Sequence, residues 1–142
     1  MVLATRAATV AIGVVVVVAA IIAVIFTVQA GNSVGSRTAA EVDISLNAYV
    51  TPANWKSGYL FDDKFYAPST VTIRVGESIR WTNRDTTIHT VTSQKVPNGA
   101  STFDSSFVDP SKTVVFTFRV AGEYEYFCTL HPYMGGKVQV LP

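Results

Sequence analysis

The scarcest metal-binding side chains of this sequence lie close together near its carboxyl end. Cys128, His131 and Met134 follow one another at intervals of three residues, and the one other histidine is His89. A thiolate, two imidazoles and a thioether form the ligand set of an electron-transferring copper ion: a trigonal plane of one Cys and two His, with a long, weak bond to an axial Met. The sequence therefore predicts a copper site made of His89, Cys128, His131 and Met134.

Other interpretations of these residues remain open at this stage. A single cysteine is commonly an inert buried residue and a single methionine a gap-filler, so a structural β-sandwich without a metal is one alternative. A copper-binding or delivery protein is another, but it would show additional Met or His clusters, and this chain has none. A copper enzyme would need a second copper centre, for which no histidines remain. No catalytic Ser/His/Asp set or paired carboxylates stand out, which indicates that the protein is not an enzyme.

The amino-terminal part of the chain is strongly apolar. Residues 7–28 carry no charge, and these 22 residues would span about 33 Å as a helix, enough to cross a bilayer. Residues 1–30 are thus either a transmembrane anchor or a signal peptide cleaved after Ala30. The length favours the anchor, because the apolar core of a signal peptide has about 7 to 15 residues. Both alternatives place the remaining chain on the extracytoplasmic face of a membrane, periplasmic or at the cell surface.

The segment that follows is small and polar. Residues 31–40 (GNSVGSRTAA) are typical of a flexible linker, which leaves residues 41–142 as the folded domain. Ten basic and ten acidic residues follow position 30, and no basic run suggests a nucleic-acid partner. We expect a monomer. The one thiol cannot form an intrachain disulfide, so in an oxidising compartment a metal bond would protect it.

Apolar residues alternate with polar ones through most of residues 41–142, and no segment has helical periodicity. This pattern predicts short strands that form an antiparallel β-sandwich, preceded by one amino-terminal hydrophobic helix. Residues 50–69 fit no strand and are interpreted as an extra hairpin or a surface flap. The strands are expected to bury the following sets: Val42, Ile44, Leu46 and Ala48; Val71, Ile73 and Val75; Ile79 and Trp81; Val114, Phe116, Phe118 and Val120; Tyr124, Tyr126 and Cys128; Val138 and Val140.

The neighbours of the four candidate ligands have expected roles of their own. The backbone amide of Thr90 is the candidate hydrogen-bond donor to the sulfur of Cys128, where such bonds tune a copper site. Asn83 and Asp85 either fix the loop that carries His89 or act as ordinary turn residues.

Three blocks of this sequence carry a family resemblance: FYAPSTVTIRVGESIRWTNRDTTIHTVTS, FDSSF, and VVFTFRVAGEYEYFCTLHPYMGGKVQV. They resemble the cupredoxins of the plastocyanin and amicyanin type, with the short spacing between His131 and Met134 that amicyanin has. The resemblance implies a Greek-key β-sandwich with one type 1 copper ion, and an electron carrier rather than an enzyme. It places His89, Cys128, His131 and Met134 on the family's ligand positions.

The resemblance also implies how the protein meets its partners. His131 would project through an apolar patch formed with Leu130, Pro132 and Tyr133, and redox partner proteins would dock there. Two departures from the family pattern bear on function. Thr90 stands where Asn is frequent, and the connection over residues 50–69 is longer than usual.

Overall fold

The computed structural model of the chain describes residues 37–142. The predicted amino-terminal helix and the candidate anchor at residues 7–28 lie outside this range. Between residues 37 and 142, no helix has the length and apolar character needed to cross a membrane. The described part is built from eight strands: β1 Thr38–Ile44, β2 Tyr66–Ala67, β3 Thr70–Arg74, β4 Ser78–Asn83, β5 Thr92–Lys95, β6 Thr113–Thr117, β7 Gly122–Phe127 and β8 Gly135–Leu141.

The strands form two four-stranded sheets, ordered β2-β1-β4-β6 and β3-β8-β7-β5. The all-β sandwich is confirmed, but both sheets are mixed rather than purely antiparallel. Strands β1 and β4 run parallel, as do β3 and β8, whereas the other pairs are antiparallel. Alternation of apolar residues reveals which side chains face the core, but it says nothing about the direction of a neighbouring strand.

The core lies between the two sheets and is rich in aromatic side chains. Trp81 is fully buried, and its ring meets that of Tyr126 edge-on, with centroids 5.4 Å apart. Tyr126 meets Tyr66 in the same way at 4.9 Å. Edge-to-face pairs of this kind each contribute about 0.5–1.5 kcal/mol beyond the burial of their area. These three rings join the two sheets, since Trp81 and Tyr66 belong to one sheet and Tyr126 to the other.

Most of the predicted inward-facing residues are buried, but Val114, Phe116 and Val120 are only partly buried, and two others are exposed. Leu46 is 60% exposed because β1 ends at Ile44, and Val75 is 42% exposed because it lies in the turn after β3. The first strand starts at Thr38, three residues inside the segment predicted as a linker. It does so because the backbone from Thr38 onward pairs with β4.

The connection between β1 and β2 is a long loop. The backbone N–H of Ser45 donates to the carbonyl of Phe65 at 2.8 Å, so residues 46–64 leave the hairpin and return to it. We call residues 46–64 the outer loop. It contains no strand, apart from an isolated bridge between Leu60 and Met134. The structure therefore shows an irregular flap, and not an extra hairpin, over most of the segment 50–69.

Candidate metal centre

Three of the four candidate ligands lie in the short loop that connects β7 to β8. Cys128 follows β7 directly, and β8 begins one residue after Met134. Within the loop, the N–H of His131 donates to the carbonyl of Cys128 at 3.2 Å, and the N–H of Met134 donates to that of His131 at 2.9 Å. The N–H of Cys128 donates back to the carbonyl of Met134 at 3.2 Å. The spacing of three residues thus corresponds to two consecutive turns, and the hydrogen bond between Cys128 and Met134 closes the loop.

The fourth candidate ligand, His89, comes from the loop between β4 and β5. Its backbone pairs with Val108: the His89 N–H donates to the Val108 carbonyl at 3.2 Å, and the Val108 N–H donates back at 2.8 Å. Asn83 reinforces this arrangement, because its side-chain amide donates to the carbonyls of Thr87 and Val108, both at 2.8 Å. The role expected for Asn83 in fixing the His89 loop is therefore confirmed. Sequence reasoning gave no signal for Val108.

The donor atoms of three of these residues converge on one point. Nδ1 of His89 lies 3.1 Å from Nδ1 of His131, and the sulfur of Cys128 lies 3.7 Å and 3.5 Å from these two nitrogens. A point in their plane equidistant from the three atoms lies about 2 Å from each, which is close to first-row metal bonds of about 2.0–2.3 Å to imidazole and thiolate. The residues present therefore fit a trigonal metal ion.

The pocket around this point excludes water on nearly every side. Cys128, His89 and Met134 are fully buried, and only His131 among the four is partly exposed. Burial and the neighbouring His89 imidazole both lower the pKa of His131. A lowered pKa keeps this imidazole neutral at neutral pH, and the neutral form is the one that binds a metal.

The orientation of the His89 ring is set by a carboxylate. Nε2 of His89 lies 2.9 Å from Oδ2 of Asp85, and both side chains are fully buried. With its proton on Nε2, the ring donates to Asp85 and leaves the Nδ1 lone pair directed at the other donors. Burial raises the pKa of the Asp85 carboxyl, but hydrogen bonds from His89 and from the amides of Thr86 and Asn47 outweigh this, so its pKa is lowered. Asp85 is thus an anion that fixes the His89 ring.

The sulfur of Cys128 accepts a hydrogen bond from the backbone N–H of Thr90 at 3.3 Å, which confirms the donor predicted from the sequence. Burial raises the pKa of the Cys128 thiol, but the interaction with the neighbouring His89 ring and the hydrogen bonds from the amides of Thr90 and Leu130 outweigh this and lower it. The site therefore favours the thiolate, which is the form that binds metals.

The hydroxyl of Thr90 connects the two loops of the site. Its Oγ1 accepts the backbone N–H of Thr129 at 2.9 Å, and its carbonyl accepts the phenolic O–H of Tyr66 at 2.6 Å. Thr90, the departure noted in the sequence, therefore joins the His89 loop both to the Cys128 loop and to the aromatic core.

Comparisons with known proteins agree with this geometry. A family model described as "Cupredoxin-like domain" matches residues 17–140. The amicyanin of Paracoccus versutus is 39% identical over 77 residues, which cover 54% of this chain and 58% of that one. The chloroplastic plastocyanin of Tetradesmus obliquus is 36% identical over 104 residues, covering 68% of this chain and 72% of the other. The chain thus spans less than two thirds of the length of that amicyanin.

The chain belongs to the cupredoxin family. Solved structures show the same fold. A purple cupredoxin from Nitrosopumilus maritimus aligns with a TM-score of 0.57 and 26% identity over 72% of this chain and 99% of that one. An amicyanin variant in its Cu(I) state aligns with a TM-score of 0.53 and 27% identity, over 72% of this chain and 82% of the other. The donor set of this cupredoxin is consistent with a single type 1 copper ion.

The surface beside the partly exposed His131 is apolar. Leu130 is 46% exposed, and Pro132 is exposed as well. Tyr133, which was expected in the same patch, is instead buried, because its O–H donates to the carbonyl of Ala48 at 3.1 Å and its ring packs under the outer loop. The sequence did not single out two further exposed apolar residues next to the site, Ile88 beside His89 and Phe107 beside Val108.

The contact between Asp85 and His89 can be tested by the substitution Asp85→Asn. Asparagine keeps the shape of the side chain but loses the negative charge that holds the proton of His89 on Nε2. Loss of such a supporting carboxylate typically weakens metal affinity by about 10- to 100-fold. We expect a loss of this size in copper affinity, measured by competition with a chelator of known affinity. Asp43→Asn, at an exposed ion pair with Arg84, is the matched control, and an equal loss in both variants would contradict the role of Asp85.

Proposed function

We propose that this protein is a one-electron carrier whose type 1 copper ion would be held by His89, Cys128, His131 and Met134. The observation that carries the proposal is the triangle of donor atoms with sides of 3.1, 3.5 and 3.7 Å. Its support from relatives is that amicyanins and plastocyanins are blue-copper electron carriers rather than enzymes.

When bound, copper supplies a couple between Cu(II) and Cu(I) that takes up and returns one electron. The protein holds its own ligands in place through the change of charge. Asp85 fixes the His89 ring, the loop hydrogen bonds fix Cys128 and Met134, and burial keeps water from adding as a further ligand. Thiolate and thioether favour Cu(I), whereas imidazole suits both states. A rigid set of this kind minimises rearrangement during electron transfer.

In this proposal, His131 would be the ligand through which electrons pass to and from the copper. His131 is the one candidate ligand that is not fully buried. The exposed side chains of Leu130, Pro132, Ile88 and Phe107 offer an apolar surface beside it or beside its neighbour His89. Redox partner proteins would dock on this surface through small, short-lived interfaces, with the protein itself acting as a monomer.

The proposed location is the extracytoplasmic face of a membrane. Its support is the uncharged run at residues 7–28, which is long enough to act as an anchor. We expect the full-length protein in the membrane fraction, with its copper domain accessible to added protease only from the outer side. Recovery of a soluble form that begins at Gly31 would favour the cleaved signal peptide, and recovery from the cytoplasm would contradict export.

The alternative of copper delivery is disfavoured by the same burial that supports electron transfer. Handing a metal to another protein requires that incoming ligands reach it. Three of the four candidate ligands are fully buried here, so exchange would require the site to open.

Copper titration tests the proposal directly. Addition of one equivalent of Cu(II) to the full-length protein is expected to produce an intense visible band from thiolate-to-copper charge transfer, which ascorbate should bleach. Cys128→Ser removes the thiolate and is expected to abolish the band. A spectrum like that of free Cu(II), with the metal lost on dialysis, would contradict a type 1 site.

The docking surface can be tested without a known partner, through electron self-exchange between two copies of the protein. Leu130→Lys would bring two positive charges together when the His131 surfaces meet. At a separation of about 7 Å in water this repulsion is roughly 0.6 kcal/mol, or about threefold in rate at low salt. We expect the self-exchange rate, measured by NMR line broadening, to fall by at least this factor.

Val75→Lys is the matched control for this measurement. It adds the same charge at an exposed apolar residue in the β3–β4 turn, at the end of β4 opposite to the His89 loop. Equal self-exchange rates in the Leu130→Lys and Val75→Lys variants would show that electrons do not pass through the surface at His131.

A further inference from the structure

The outer loop, residues 46–64, touches the candidate copper site through its backbone at two separate places. The first place is Leu60, whose N–H donates to the carbonyl of Tyr133 at 2.7 Å and whose carbonyl accepts the N–H of Gly135 at 3.2 Å. These two hydrogen bonds lie on either side of Met134 and hold the backbone of this candidate ligand; we call them the clasp. No sequence signal pointed to Leu60.

The fit between the outer loop and this part of β8 is tight. A Cβ atom added at Gly135 would lie 2.8 Å from Cβ of Tyr59 and 3.0 Å from the ring of Phe61. Contacts below 3.0 Å do not occur between real side chains without movement, so the close approach requires glycine at position 135. The rings of Trp55 and Tyr133 also meet edge-on, with centroids 5.8 Å apart.

The second place of contact lies at the start of the outer loop. The N–H groups of Asn47 and Tyr49 donate to the two carboxylate oxygens of Asp85, at 3.0 and 3.3 Å. Asp85 in turn binds the ring of His89. The outer loop is therefore connected to the His89 loop at one end and to the Met134 loop at the other. The His89 loop joins the two sheets, and the Met134 loop joins two strands of one sheet.

We propose that the outer loop is a positioning element that holds the thioether of Met134 at the copper and keeps water from that side of the site. The inference rests on the proposed function. It assigns a role to residues 46–64, in which Leu60 and Gly135 are positioning residues and do not touch the metal.

The reduction potential should report this role. A loosened outer loop would weaken the contact of the soft thioether, which favours Cu(I), and would admit water, which favours the more highly charged Cu(II) state. Both effects act in the same direction. The potential is therefore expected to fall when the clasp is weakened.

Two substitutions weaken the clasp from opposite sides. Leu60→Pro removes the N–H that donates to Tyr133, because proline has no amide hydrogen. Gly135→Ala adds the methyl group that collides with Tyr59 and Phe61. Leu46→Ala is the matched control, since Leu46 belongs to the same loop but is 60% exposed.

We expect both clasp variants to lower the reduction potential by an amount equal to at least a tenfold change in the equilibrium between the two copper states, or 59 mV for one electron. The charge-transfer band should shift with it. The Leu46→Ala control should keep the potential and spectrum of the unmodified protein. If both clasp variants fold and keep the original potential and spectrum, the proposal is overturned.

A second measurement uses the metal-free protein. The N–H of Cys128 donates to the carbonyl of Met134, a bond inside the ligand loop. Its hydrogen exchange, followed by NMR, should become at least tenfold faster in both clasp variants, whereas the amide of Arg84, bonded to Ile44, should be unaffected. Unchanged exchange at Cys128 would overturn the positioning role. If the unmodified protein forms no type 1 site, the proposed function fails, and this exchange experiment still tests the clasp.

Discussion

The described part of this protein must hold two imidazoles and a thiol within 3.7 Å of one another in a largely buried pocket. Such groups gain little from one another without a metal and would each be better solvated in water. The surrounding protein must therefore supply the partners that keep them there. Asp85 binds the far side of the His89 ring, the amide of Thr90 faces the sulfur, and the turns of the ligand loop satisfy their own backbone groups.

These partners come from parts of the chain that are far apart in sequence. The carbonyl of Val108 receives the amides of His89 and Asn83, and the hydroxyl of Tyr66 reaches the carbonyl of Thr90 from the aromatic core. Because each contact supports the next, the site is a property of the assembled sandwich. A rigid all-β fold would therefore suit the proposed centre, whose geometry should stay the same in two charge states.

Much of this was predictable from the sequence, and the reasons differ from part to part. The meeting of His89, Cys128 and His131 could be predicted because cysteine and histidine are scarce here and have specific metal-binding chemistry. The strands could be predicted because alternation exposes the core face, as at Tyr124 and Tyr126. The direction of neighbouring strands could not be predicted, since apolar and polar residues alternate in the same way in parallel and antiparallel strands. Leu46 was predicted to be buried and Tyr133 to lie in the exposed patch, and both predictions were wrong. The burial of Leu46 depends on where β1 ends and that of Tyr133 on what the outer loop covers, and neither is a local property of the sequence.

The burial of all the candidate ligands except His131 has a consequence for how redox partners would reach the site. In the proposed electron carrier, a single partly exposed ligand would make the electron donor and the electron acceptor use the same surface and compete for it. One partner would have to leave before the other could arrive, and a partner that stayed long would block turnover. Fast dissociation is therefore as important to such a carrier as fast electron transfer. A small apolar surface such as the one beside His131 would suit brief encounters of this kind.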